Sequence, residues 1–269
     1  MAVKTGGKRK TKAKTVFVLT VLLLAAAFMV YYGLFTKPRE KLVQKVVYIM
    51  QAAEATPAPS PTPQPTPDLH LPDIDLTSWE YQIANDAHRL PEDFAPPELT
   101  EIEAERSVDS RIAEPLRQLL ADARAAGYTD IYLCSGYRSY DTQYQIYWNH
   151  IWDYMNQGVG QDEAMAMTKK AVNAPGSSEH QLGLSVDILE SYTQDMEPYI
   201  GGSGLMLWFE QHCTEYGFII RYPEDKTGIT GVEYEPWHLR YVGKTAAEYI
   251  MQHGICLEEF LTYYGSYDN

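Results

Sequence analysis

Cysteine is scarce in this 269-residue chain, with Cys134, Cys213 and Cys256 its only three. They are too few and too unpatterned for a disulfide framework or a zinc ribbon. They read instead as small buried apolar side chains. Basic residues are also scarce beyond the first fifty positions. Residues 51–269 hold twelve Lys and Arg against 35 acids, a balance of −23, while residues 1–50 hold ten against Glu40 alone. A body this acidic is repelled by phosphate backbones, which argues against nucleic acid as a partner. From about Ile74 onward there are no repeats, linkers or low-complexity runs. With 45% hydrophobic and 22% charged residues, the chain is neither wholly disordered, nor collagen-like, nor a polytopic membrane protein.

One long apolar run is present. Val16 to Phe35 is twenty residues without a charge, about 30 Å as a helix and so long enough to span a bilayer core. Six basic residues between Lys4 and Lys14 precede it, and the positive-inside rule keeps residues 1–15 in the cytoplasm. A cleaved signal peptide with Ala25, Ala26 and Ala27 at the cut is the competing reading. Eight further uncharged residues follow those alanines, which favours an anchor at 16–35. Either reading exports the remainder to the cell-wall side. Residues 36–54 follow as a juxtamembrane stalk, with Leu42, Val43, Val46, Val47 and Met50 at helical spacing. Residues 55–73 form a spacer, with seven of the sixteen prolines between Pro57 and Pro72; such a run favours extended polyproline II.

The rest, 74–269, reads as one α+β domain with a small central antiparallel sheet flanked by helices. Arg106–Gly127 has the pattern of an amphipathic helix kinked by Pro115, with Ile112, Leu116, Leu119, Leu120 and Ala123 inward. Asp130–Ser135 reads as a strand, and Tyr140–Gln157 and Gln161–Val172 as helices. Leu184–Leu189 alternates, with Leu184, Val186 and Ile188 opposite Ser185 and Asp187. Leu205–Tyr216 is a helix closed by Gly217, and Phe218–Arg221 a strand. Trp237–Val242 alternates again, with His238 and Arg240 on its polar face. Two short helices close the chain.

Two strands thus each present one metal-capable side chain, Asp187 and His238. His180 stands seven residues before Asp187, in a loop that Gly183 turns back toward the strand. Two imidazoles and a carboxylate suit zinc with a fourth position open. Glu235, three before His238, is placed to exchange a proton with water there. A random histidine usually has a structural role, and neither His-x6-Asp nor Glu-x-x-His alone is specific. His70, His88, His150, His212 and His253 lack such settings. Arg138 follows the Gly136 turn after the Asp130–Ser135 strand, where its planar fork suits a carboxylate or an oxyanion; an ion pair with one of the 36 acids is the competing role. Gln143 is in reach to add an amide contact.

Taken together, SGYRSYDTQ, SSEHQLGLSVD, GFIIRYP and ITGVEYEPWHLRYVG resemble the VanY-type D-alanyl-D-alanine carboxypeptidases. These are zinc peptidases related to D-Ala-D-Ala dipeptidases, L,D-carboxypeptidases and some phage endolysins. The similarity runs from Asn85-Asp86 and Leu90–Phe94 to Gly243, and its Ser-x-His-x-x-Gly-x-x-x-Asp and Glu-x-Trp-His signatures are specific. The resemblance implies that His180, Asp187 and His238 ligate zinc on the sheet face and that Glu235 is the catalytic base. It implies that Arg138 stabilises the tetrahedral intermediate and helps bind substrate, with Ser178, Ser139 and Gln143 lining the site. Ser185 departs from the alanine frequent in the family, a small change that leaves Asp187 in place. The function expected is release of D-alanine from peptidoglycan stem peptides, with no protein partner evident. An L,D-carboxypeptidase acting on tetrapeptide stems, or a catalytically silent wall-binding module, are the alternatives.

Overall fold

The computed structural model describes residues 72–190 and 196–263. The chain divides into two units, Met1–Pro67 and Asp68–Asn269, and every described residue belongs to the second. The expected cytoplasmic tail, membrane anchor and stalk lie outside the described residues, as does all of the spacer but Pro72 and Asp73. Among the described residues no helix is long and apolar enough to cross a membrane.

Among the described residues the first strands form an antiparallel hairpin, β1 (Leu99–Glu103) and β2 (Arg106–Asp109). Its two-residue turn, Ala104 and Glu105, has positive φ at both positions, 41° and 65°, the backbone that suits the twist of a hairpin. The helix expected from Arg106 therefore begins later, as α1 (Ala113–Ala125). Pro115 falls in its first turn, where a missing N–H costs no intrahelical bond, so it starts the helix instead of kinking it. The inward residues Leu116, Leu119, Leu120 and Ala123 are fully buried as their spacing requires.

Then follow β3 (Ile131–Ser135), α2 (Tyr140–Asn156), α3 (Gln161–Ala171), β4 (Ser185–Glu190) and α4 (Gly204–His212). The helix expected over Leu205–Tyr216 is α4 plus a 3-10 turn, Cys213–Tyr216, closed by Gly217 at φ +84°. The described residues continue through β5 (Phe218–Tyr222), the single turn α5 (Thr227–Thr230), β6 (Glu235–Tyr241), α6 (Lys244–His253) and α7 (Leu257–Tyr263). All three cysteines are free, and Cys213 and Cys256 are buried.

Strands β3, β4, β6 and β5 form one antiparallel sheet in that order. One face buries Val186, Ile188, Ile220 and Leu239 against α1 and α4; each such side chain contributes about 1.5–3 kcal/mol by leaving water. The other face carries the even-spaced polar residues. Ile219 and Val242 pack there with α6 and α7 over one end of the sheet. At the other end the polar side chains of β4 and β6 line a cleft together with residues of α2.

Candidate active site

The inner strands β4 and β6 place Asp187 directly opposite His238. Asp187 Oδ1 lies 3.1 Å from His238 Nδ1. His180 arrives from the 3-10 turn Glu179–Leu182, which Gly183 ends in the left-handed region at φ +69°. Its Nε2 lies 3.2 Å from Asp187 Oδ2, and the two imidazoles meet edge to face with centroids 4.9 Å apart. One ligand atom from each of His180, Asp187 and His238 fits within a 4.8 Å span, and all three residues are buried.

This donor set fits zinc. His180 Nε2 and Asp187 Oδ1 are buried with no hydrogen-bond partner among the described residues, a costly state for polar atoms unless something polar or cationic meets them. His180 Nδ1 donates to the carbonyl of Gly136 at 2.7 Å. Since a carbonyl can only accept, the proton sits on Nδ1 and the Nε2 lone pair faces Asp187, the arrangement a metal-binding histidine needs. Gly136 is required here, because a Cβ at this position would collide with the carbonyl oxygen of Ser107. Burial and the charge of Arg138 push the His180 imidazolium down to about 4, keeping the ring neutral.

Glu235 joins the cluster at the start of β6, with Oε2 3.5 Å from His238 Nδ1. Burial, and then the neighbouring Asp187 carboxylate, raise its pKa well above the ordinary value, while Arg138 pulls the other way. A carboxyl with a raised pKa beside a metal site is suited to carry a proton in both directions. Arg138 lies within no carboxylate's ion-pair distance among the described residues, and its Nε is buried without a hydrogen-bond partner. The competing surface-pair role is therefore not what its position provides. Its backbone N–H donates to the His180 carbonyl at 3.1 Å, which ties the arginine to the ligand turn.

These side chains line a cleft of about 330 Å³, within the range of small-ligand sites. Ser178 and Gln143 line it too. Gln143 Nε2 donates to the Asn173 carbonyl at 2.7 Å, while its Oε1 is buried without a partner. Ser139 stands apart from that lining and caps α2, its hydroxyl accepting the Thr142 N–H at 3.2 Å. His150, set aside on sequence grounds, lies in the cleft wall together with Ile146 and Tyr154. The signal for it was available, since Gln143, Ile146, His150 and Tyr154 make one stripe along α2 at helical spacing.

The family model for VanY, described as D-alanyl-D-alanine carboxypeptidase, matches residues 105–244. A D-alanyl-D-alanine carboxypeptidase of Enterococcus faecalis (strain ATCC 700802 / V583) is 38% identical over 187 residues, 70% of this chain and 67% of the relative. The fold is similar to that of a mutant of the vancomycin resistance D,D-pentapeptidase VanY from a VanB-type cassette, solved in complex with Zn(II). That match has a TM-score of 0.62 and 38% identity, covering 68% of this chain and 99% of the other. The LdcB LD-carboxypeptidase is also similar, with a TM-score of 0.58 and 34% identity over 69% of this chain and 86% of the other. The family expected from the SSEHQLGLSVD and EPWH segments is thus the one found, and the chain belongs to the VanY family of D-alanyl-D-alanine carboxypeptidases.

Proposed function

We propose that this chain is a zinc-dependent D,D-carboxypeptidase that hydrolyses the terminal D-Ala-D-Ala bond of peptidoglycan stem peptides and releases D-alanine. The observation that carries the reading is the placing of Glu235 within 3.5 Å of His238 in the cleft that holds the His180–Asp187–His238 set. Those three side chains would hold the ion. When bound, zinc supplies a Lewis acid that polarises the scissile carbonyl and lowers the pKa of a coordinated water toward about 7. Glu235 takes the proton of the attacking water and delivers it to the departing amine of D-alanine. Arg138 stabilises the developing oxyanion and pairs with the substrate's terminal carboxylate. Ser178 and Gln143 hold the peptide, Gln143 through the unpartnered Oε1.

The test is incubation of the purified, zinc-loaded protein with defined tri-, tetra- and pentapeptide stems, with zinc counted by elemental analysis. Free D-alanine from the pentapeptide is expected. Preference for the tetrapeptide would transfer the assignment to the L,D activity that the likeness to LdcB favours. A zinc-free, inert protein would support the wall-binding module instead.

The charge asymmetry and the apolar run of residues 16–35 support a single-pass anchor with the catalytic domain on the cell-wall side. The proline spacer would lift that domain off the bilayer. Retention in membranes after alkaline carbonate washing is expected, and release of the protein by the wash would refute the anchor.

A further inference from the structure

Two arginines, Arg221 and Arg240, are the largest fully buried side chains among the described residues. Neither lines the cleft. They close a buried quartet with Glu179 and Glu258. Arg221 Nε donates to both oxygens of Glu179 at 3.0 Å, and its two terminal nitrogens grip Glu258 at 2.9 and 2.6 Å. Arg240 Nη1 lies 2.8 Å from Glu179 Oε1, while its Nη2 donates to the carbonyls of Glu80 and Gln82. Two cations balance two anions. Loss of any one member is strongly destabilising, because the remainder is left as uncompensated buried charge.

Its place in the sheet gives the quartet a second meaning. Asp187 is paired with His238, and two residues along the same strands Ser185 is paired with Arg240. Residues two apart share a face about 7 Å from one another. The quartet is therefore the next polar row behind the metal row. Ser185 belongs to this second row and donates its hydroxyl to Glu179 at 3.3 Å. Glu179 opens the 3-10 turn whose second residue is His180. One short turn is thus held from behind by its first side chain and presents a metal ligand with its second.

We propose that Glu258 is a positioning residue for the zinc site, acting through Arg221 and Glu179 on the turn that carries His180. Glu258 lies on α7, beyond residue 244, where the match to the family model ends. The last helix among the described residues thereby becomes part of what fixes the metal. The inference rests on the zinc reading of His180, Asp187 and His238 given above. Partners that orient a ligating histidine typically change metal affinity about 10–100-fold when lost, and the coupling must run equally in both directions.

The experiment has two arms, both on the full-length protein. In the first, Glu258→Gln removes the charge and keeps the shape. Zinc affinity by chelator competition is expected to fall about tenfold, with a changed visible spectrum of the Co(II)-substituted protein. Glu259→Gln, a charge change on the same helix at a residue paired with Lys226, should alter neither. Unchanged affinity and spectrum in folded Glu258→Gln would overturn the proposal and leave the quartet a stability element only. The second arm needs no variant and decides the matter if Glu258→Gln does not fold. Zinc added to the apo protein should slow amide hydrogen exchange in α7 more than in α1. Equal slowing in the two helices, or none in α7, overturns it. If the wild type binds no zinc at all, the reading of the site falls first and this inference with it; if it binds zinc without protecting α7, only the inference falls.

Discussion

Glu235 Oε2 lies 3.5 Å from His238 Nδ1 although the two residues are three apart in one strand. A regular strand would send them to opposite faces of the sheet. Between the pairs Ile220–Leu239 and Tyr222–Glu235, β5 advances two residues while β6 advances four. The extra length is a bulge at Pro236, Trp237 and His238, and bulges beside active sites re-aim side chains in this way. Glu235 and His238 therefore owe their proximity to a local fault in the ladder.

Glu235→Gln keeps that geometry and cannot carry a proton. The variant is expected to fold and bind zinc normally, with kcat lowered by about 10²–10⁴-fold or more. Comparison of zinc content and single-turnover rates for the two proteins checks this. Near-normal turnover by a zinc-loaded variant would remove Glu235 from its role.

Arg138→Ala is expected to lower kcat/KM by about 10²-fold or more, and Arg138→Lys should restore only part of it, since a lysine lacks two parallel donors. The wild type should also prefer a pentapeptide acid over its C-terminal amide by about 10-fold or more. Steady-state kinetics on both substrates provide the check. Equal rates for acid and amide would show that Arg138 does not anchor a carboxylate.

Stripping the metal should leave a folded protein. The sheet ladder and the core do not pass through the ion, so its removal subtracts only the linkage contribution. With zinc at about a thousand times its Kd that contribution is about 4 kcal/mol, or roughly 8–16 °C in Tm for a domain of this size. Calorimetry of apo and reconstituted protein measures it. Complete unfolding on chelation would place the metal among the folding determinants.

Gly183→Ala tests the ligand turn. Gly183 has φ +69°, and a Cβ added there would stand 2.9 Å from the backbone nitrogen of Asp109, the atom that donates to the Gly183 carbonyl. A loss of at least about 1 kcal/mol is expected from the backbone strain, together with weaker zinc binding because His180 sits on the same turn. Chemical denaturation and chelator competition report the two effects separately. A variant as stable as the wild type would mean that the turn adjusts freely.

The sheet and its ligands were legible because alternation in 184–189 and 237–242 leaves Asp187 and His238 on the polar side of buried strands. The β1–β2 hairpin was not. Its turn is Ala104-Glu105, and positive φ at such residues leaves no mark of the Asn-Gly kind. Arg106–Asp109 was consequently absorbed into the helix that follows. The bulge in β6 is equally silent, since register is a property of two strands together. Arg221 and Glu258 look like ordinary charges in the sequence, and only the fold brings them together across 37 residues. His150 is legible only as part of the stripe of α2 on which it lies, with Gln143, Ile146 and Tyr154.

The cleft has a floor and a rim of different construction. Asp187 and His238 stand on inner strands of the sheet, each hydrogen-bonded on both sides, whereas Ile146, His150 and Tyr154 project from a helix, and Glu197 and Pro198 from a connecting segment. A substitution on the rim disturbs no ladder and no ligand, while one on the floor disturbs both. The rim is therefore the part of the cleft whose shape and charge can change while the His180–Asp187–His238 geometry stays in place.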